Sequence, residues 1–140
     1  MKQQLRQRIT AALQACYAAG TLHSGEIPEI ALEVPAHAEH GDFACNAAMA
    51  LARAEKKPPR KIAETLVAAL GEGEGLWEKV EIAGPGFINF FLTRRCWYGV
   101  LDEVLRQGER YGRSDTGGGR KMQVEFVSAN PTGPLHIGHG

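Results

Sequence analysis

Residues 79–92 read KVEIAGPGFINFFL, and this stretch decides the fold. Gly84-Pro85-Gly86 is a strong turn signal, so KVEIA and FINFFL are two short strands on either side of it. In the second strand Ile88, Phe90 and Leu92 point one way and Phe87, Asn89 and Phe91 the other. The first set is a plain core face that needs helices to cover it.

The flanking sequence supplies them. Upstream, Leu5, Ile9, Leu13, Cys16 and Tyr17 fall on one face of a helix, and Gly20 is a good stop. IALEV at 30–34 alternates as a short strand that Pro35 ends. AHAEHGDFACNAAMALARAEKK reads as a loop leading into an alanine-rich helix that begins near Asp42, with Phe43, Ala47, Ala50, Leu51 and Ala54 as its apolar face. Pro58 and Pro59 break it and open a new helix, which carries Ile62 and Leu66 and runs to Leu70. GEGEG at 71–75 is a surface loop. Downstream, Trp97, Val100, Leu101, Val104 and Leu105 mark a helix from about 94 to 111. SDTGGGR at 114–120 is a small, polar linker, and Met122, Val124 and Phe126 alternate as a strand. The expected fold class is α+β. A small N-terminal domain over 1–113, with helices packed on a mostly antiparallel sheet, precedes the linker 114–120. Residues 121–140 are then the first strand and loop of a truncated, Rossmann-type domain.

Composition narrows the function classes. The chain has 140 residues, with 16 Lys+Arg against 16 Asp+Glu. Zero net charge excludes a uniformly basic, histone-like binder but not a local patch. Residues 51–70 hold five basic side chains, Arg53, Lys56, Lys57, Arg60 and Lys61, against Glu55 and Glu64, whereas residues 71–82 are acidic. No apolar run approaches the ~20 residues of a membrane span, and no secretory signal follows the basic N-terminus. Three widely spaced cysteines, Cys16, Cys45 and Cys96, are not a disulfide framework, which favours a reduced, cytoplasmic setting.

The chemistry concentrates at the C-terminal end. His136-Ile137-Gly138-His139 follows a strand and the turn Asn130-Pro131-Thr132-Gly133-Pro134. A helix opening there would present free backbone N–H groups to a phosphate. The two imidazoles, three positions apart, would share a side and could stabilise charge on a transferring phosphoryl group. Gly138 lets a flat ring lie against the backbone. Strand end, turn and helix start are where open α/β sheets bind nucleotides, so this is an expected ATP site. Two histidines are also half of a metal site, but with no third ligand nearby no protein-bound metal is expected.

VEFVSANPTGPLHIGHG resembles the opening of the catalytic domain in the arginyl-tRNA synthetases, a class I aminoacyl-tRNA synthetase family. GDFACNAAMALA and AGPGFINFFL resemble that family's N-terminal additional domain, so the resemblance covers essentially the whole chain. It implies ATP-dependent ligation of L-arginine to tRNA(Arg) through arginyl-adenylate, with Mg²⁺ accompanying ATP, and tRNA(Arg), ATP and L-arginine as partners; neither DNA nor membrane is implied. It places ATP binding on His136, Ile137, Gly138 and His139, with His136 and His139 catalytic. It places arginine on Glu125, Asn130 and His136, and Ser128 at the strand's end also lines that pocket. A later KMSKS-like lysine loop and most of the nucleotide-binding sheet are missing from these 140 residues, so the chain alone is expected to contact tRNA without aminoacylating it.

The alternation Phe87, Asn89, Phe91 has two readings. Rings that stack on unstacked bases beside an amide that reads their edges suit an RNA surface. The same residues would also suit a sheet buried on both sides. The resemblance favours the first, because the family's additional domain contacts the tRNA elbow and reads a D-loop nucleotide. Two alternatives remain: a stand-alone RNA-binding module, and another HxGH nucleotidyl-transferring enzyme.

Overall fold

A computed structural model of the chain describes residues 1–124 and 133–134. The element order is α1 (Lys2–Ala18), β1 (Leu32–Glu33), β2 (Phe43–Cys45), α2 (Ala47–Glu55), α3 (Pro59–Leu70), β3 (Trp77–Ala83), β4 (Phe87–Leu92) and α4 (Arg94–Gln107). Single 3-10 turns occur at Ala38–His40 and Gly108–Arg110. Among the described residues the class is α+β, with four helices and a four-stranded antiparallel sheet in the order β1-β2-β4-β3.

The 79–92 hairpin forms as its sequence predicts. Ile82 pairs with Ile88 and Val80 with Phe90. Gly86 closes the turn by donating its N–H to the Ala83 carbonyl. Its φ of +148° suits glycine, and a Cβ there would lie 2.9 Å from the Pro59 carbonyl carbon. The turn therefore sits directly against the first turn of α3.

β4 has a partner on each side, which explains its apolar character. Leu32, Cys45 and Ile88 make one inward row, Phe43 and Phe90 the next. Trp77 and Leu92 close the end, with the Trp77 indole edge-on to Phe90 at 5.6 Å between centroids. Leu5, Ile9, Leu13 and Cys16 of α1, Leu51 of α2, and Ile62 and Leu66 of α3 complete this single core. Each such side chain contributes roughly 1.5–3 kcal/mol by leaving water.

Four sequence expectations change. The helix expected from near Asp42 starts only at Ala47, because Phe43–Cys45 is a strand paired to β4. Ala47, Ala48 and Leu51 form its buried face, while Ala50 is exposed. The 30–34 strand shrinks to two residues at the sheet's edge. The helix expected to 111 stops at Gln107, where Gly108, with φ +52°, begins a tighter turn. Residues 121–124 are not a strand, and Met122 and Val124 are exposed; the remainder of the expected strand lies outside the described residues.

Glu55 ends α2 with its side chain turned inward at 7% exposure. Its carboxylate accepts the His23 and Ser24 backbone N–H groups at 2.8–3.1 Å. Burial alone would raise its pKa. The hydrogen bonds from Ser24 and His23 and the charge of Lys57 outweigh that and hold it below the usual carboxylate range. The clamp fixes the loop that carries the chain from α1 to β1.

The chain divides into two compact units, Met1–Arg106 and Gln107–Gly140. The core, sheet and candidate surface all lie in the first. No residue of α4 is buried, and Trp97, Tyr98, Leu101 and Leu105 are exposed. In the second unit, residues 108–124 are exposed, with turns at Asp115–Gly118 and Gly117–Arg120.

Candidate functional site

One face of the sheet is occupied by core side chains beneath α1, α2 and α3, so the residues between them point to the opposite face. On that opposite face the register sets Glu33 beside Ala44, Ala44 beside Asn89, and Asn89 beside Glu81. Phe87 stands opposite Ala83, and Phe91 opposite Lys79. Glu33, Lys79, Glu81 and Phe87 are exposed, so among the described residues no element covers this face.

Asn89 sits at its centre, flanked two residues away on each side by an aromatic ring. It is only 4% exposed, whereas Phe87 is 36% exposed and Phe91 half-buried. Its neighbour on β2 is the small Ala44. Among the described residues the Asn89 carboxamide makes no side-chain hydrogen bond. Nor is it sealed from solvent, since Asn46 Oδ1 alone among described side-chain atoms is both enclosed and unpartnered. Water therefore still reaches it, and a ligand edge offering both a donor and an acceptor can take that water's place.

The Phe91 end is braced. Lys79 Nζ lies 4.6 Å from the Phe91 ring centroid and 2.6 Å from Glu81 Oε1. The cation–π contact fixes the outer ring, and the ion pair neutralises the lysine. Gly41, with φ +87°, lets the incoming loop lie against β4, where a Cβ would meet the Phe90 carbonyl oxygen at 2.6 Å. Asp42 then locks that loop: its N–H donates to the Phe90 carbonyl at 2.9 Å, and its Oδ2 accepts the Leu92 N–H at 2.7 Å.

The structure thus brings Phe87, Asn89 and Phe91 together on one open face. Glu125, Ser128, Asn130, His136, Ile137, Gly138 and His139 lie outside the described residues. Lys79 and Glu81 were missed by the sequence reading. Pairing residues symmetrically across Gly84-Pro85-Gly86 would have found Glu81 opposite Asn89. The same pairing sets Lys79 opposite Phe91, and the register becomes irregular only between Trp77 and Lys79. Among the described residues no group of three or more His, Cys, Asp or Glu is placed to hold a metal ion. No described helix is long and apolar enough to cross a membrane.

Residues 3–92 match the family described as arginyl-tRNA synthetase N-terminal domain. The chain belongs to that family. This synthetase N-terminal domain ends where β4 does, so the whole sheet, its open face and helices α1 to α3 fall inside the match. Over all 140 residues the chain is 76% identical to an arginine–tRNA ligase of Syntrophotalea carbinolica and 63% identical to one of Geotalea daltonii. It spans 25% of the length of each. Among solved structures, the arginyl-tRNA synthetase of Plasmodium falciparum shares the fold at TM-score 0.58 and 16% identity, over 73% of this chain and 18% of that one.

Proposed function

We propose that the chain is the tRNA-facing N-terminal part of an arginine–tRNA ligase, and that the open sheet face reads an unstacked nucleotide of tRNA(Arg). The observation that carries this is Asn89: a buried residue whose amide has no side-chain hydrogen bond among the described residues, between two rings on a face that no described element covers. Phe87 and Phe91 supply stacking surfaces, and Asn89 reads the base edge. The sequence match to synthetase relatives supports tRNA as the RNA.

The whole enzyme, on this reading, ligates L-arginine to tRNA(Arg) in the cytoplasm through arginyl-adenylate. His136, Ile137, Gly138 and His139 bind ATP, which Mg²⁺ accompanies. The imidazoles of His136 and His139 donate to the phosphoryl oxygens as charge develops. Glu125, Ser128, Asn130 and His136 hold arginine, the carboxylate of Glu125 through charge-assisted hydrogen bonds. Residues 121–140 belong to the catalytic domain, joined by the linker 114–120 to the domain over 1–113.

Equilibrium titration of the 140-residue chain with tRNA(Arg) tests the face. Stacking on an aromatic ring is worth about 1–3 kcal/mol by alanine substitution, and tenfold in affinity is 1.4 kcal/mol. Phe87→Ala should therefore weaken binding by roughly 5- to 150-fold. Asn89→Ala should weaken it by a similar factor, the scale of one good bidentate base contact. Equal affinity for both variants and wild type would exclude the face from tRNA recognition.

A further inference from the structure

The open face is not electrically symmetric along β4. At the Phe91 end Lys79 is paired with Glu81 at 2.6 Å, so that end offers no net charge. At the Phe87 end the β3–β4 turn abuts α3, and Arg60 donates from its guanidinium to the Gly84 carbonyl at 3.2 Å. Arg60 shares its one carboxylate, Glu64 at 3.9 Å, with Lys61, which holds that carboxylate at 2.8 Å. Two cations thus face one anion, and the Arg60 side chain is 58% exposed. By sequence the 51–70 segment holds five basic residues against two acids. Glu55, the other acid of the 51–70 segment, is turned into the interior and bonded to backbone N–H groups. Among the described residues Arg53 and Lys56, in the same segment, have no ion-pair partner and add to the cationic surplus.

We propose that Arg60 is the phosphate anchor of the RNA face: it takes a backbone phosphodiester of the nucleotide that stacks on Phe87. Only Pro85 and Gly86 separate Gly84, which Arg60 touches, from Phe87. Gly86 between them is pressed against Pro59, so the start of α3 is held against this turn by packed backbone, and the Arg60 bond to Gly84 keeps the guanidinium at the turn. A guanidinium fork suits a phosphodiester, which it can grip with two N–H groups. The contact positions the strand, and Phe87 and Asn89 read it. This inference rests on the tRNA reading of the open face.

Salt dependence separates the two. Each phosphate contact contributes about 0.7–0.9 to the slope of log affinity against log salt. The full 140-residue chain, titrated with tRNA(Arg) from 50 to 300 mM KCl, should lose about that much slope on Arg60→Gln and keep it on Arg60→Lys. Arg8→Gln is the control. Arg8 pairs with Glu74 in the loop before β3, at the opposite end of that strand, and its removal should leave the slope unchanged. Phe87→Ala and Asn89→Ala should weaken binding at every salt concentration with the slope intact. An unchanged slope for Arg60→Gln, or an equal loss for Arg8→Gln, overturns the anchor while leaving base reading in place. Unchanged binding by Phe87→Ala and Asn89→Ala overturns the reading of the face, and the anchor with it. Absence of measurable binding by wild type at 50 mM KCl overturns both.

Discussion

Removing the Glu55 carboxylate should destabilise the fold through a loop that contributes little to the core. Two backbone N–H groups, of His23 and Ser24, end on this carboxylate, and its residue is 7% exposed. A hydrogen bond to a charged group is worth about 1.5–3 kcal/mol, and an N–H left without a partner costs about 1–3 kcal/mol. Because this loop can open partly to water, Glu55→Ala should cost about 2–4 kcal/mol in total rather than the full sum. Glu55→Gln keeps one acceptor but sets an NH₂ against a backbone N–H, and should cost about 1–2 kcal/mol. Urea denaturation of wild type and both variants at neutral pH gives these differences. The pH dependence has a definite sign. The folded carboxyl is held below its ordinary range, so the clamp contributes fully above that range and is lost as pH falls through the depressed folded value. The gap between wild type and Glu55→Gln should therefore narrow with acidification. A loss under 0.5 kcal/mol for Glu55→Ala, or a gap independent of pH, would refute the clamp.

Other perturbations probe separate links. Gly86→Ala should destabilise by about 1–3 kcal/mol, because its φ of +148° and the 2.9 Å approach to Pro59 leave no place for a Cβ; the same urea titration reads it. Burial pushes the Cys45 thiol up, and Cys16 is also buried while Cys96 is only half-buried. Maleimide should therefore modify Cys96 first and the other two only on unfolding, as intact-mass spectrometry of timed samples will show. The 140-residue chain, supplied with ATP, Mg²⁺, arginine and tRNA(Arg), should form no arginyl-tRNA in a filter assay, whatever its affinity for the tRNA.

The elements legible in the sequence were those fixed by local pattern. Leu5, Ile9, Leu13 and Cys16 recur at the helical period and are all buried. Gly84-Pro85-Gly86 set the hairpin, and alternation in FINFFL separated Phe90 from Phe91 correctly. β2 was not legible, because Phe43-Ala44-Cys45 has no β-branched residue and only Asn46 separates it from an alanine-rich run. Its strand state comes from pairing with Ile88–Phe90, more than forty residues away, and from the Asp42 lock on Leu92. The clamp role of Glu55 was not legible either, since nothing local foretells two backbone N–H groups arriving from residues 23 and 24. At the candidate surface the alternation named Phe87, Asn89 and Phe91 but could not choose between a covered and an open sheet. That choice depends on where the helices go, and α1, α2 and α3 all pack with the Ile88–Phe90 side. The brace of Lys79 on Phe91 depends on cross-strand register, a property of two strands together.

The most direct test is a map of amide chemical shifts of the labelled 140-residue chain during titration with tRNA(Arg). Perturbations should concentrate on residues 87–91, on Lys79 and Glu81 opposite them, on Ala44, and on the turn at 84–86, while the amides of α1 stay unmoved. Perturbations confined to α1 or to the exposed face of α4, with 87–91 silent, would contradict the assignment of the open sheet face to tRNA.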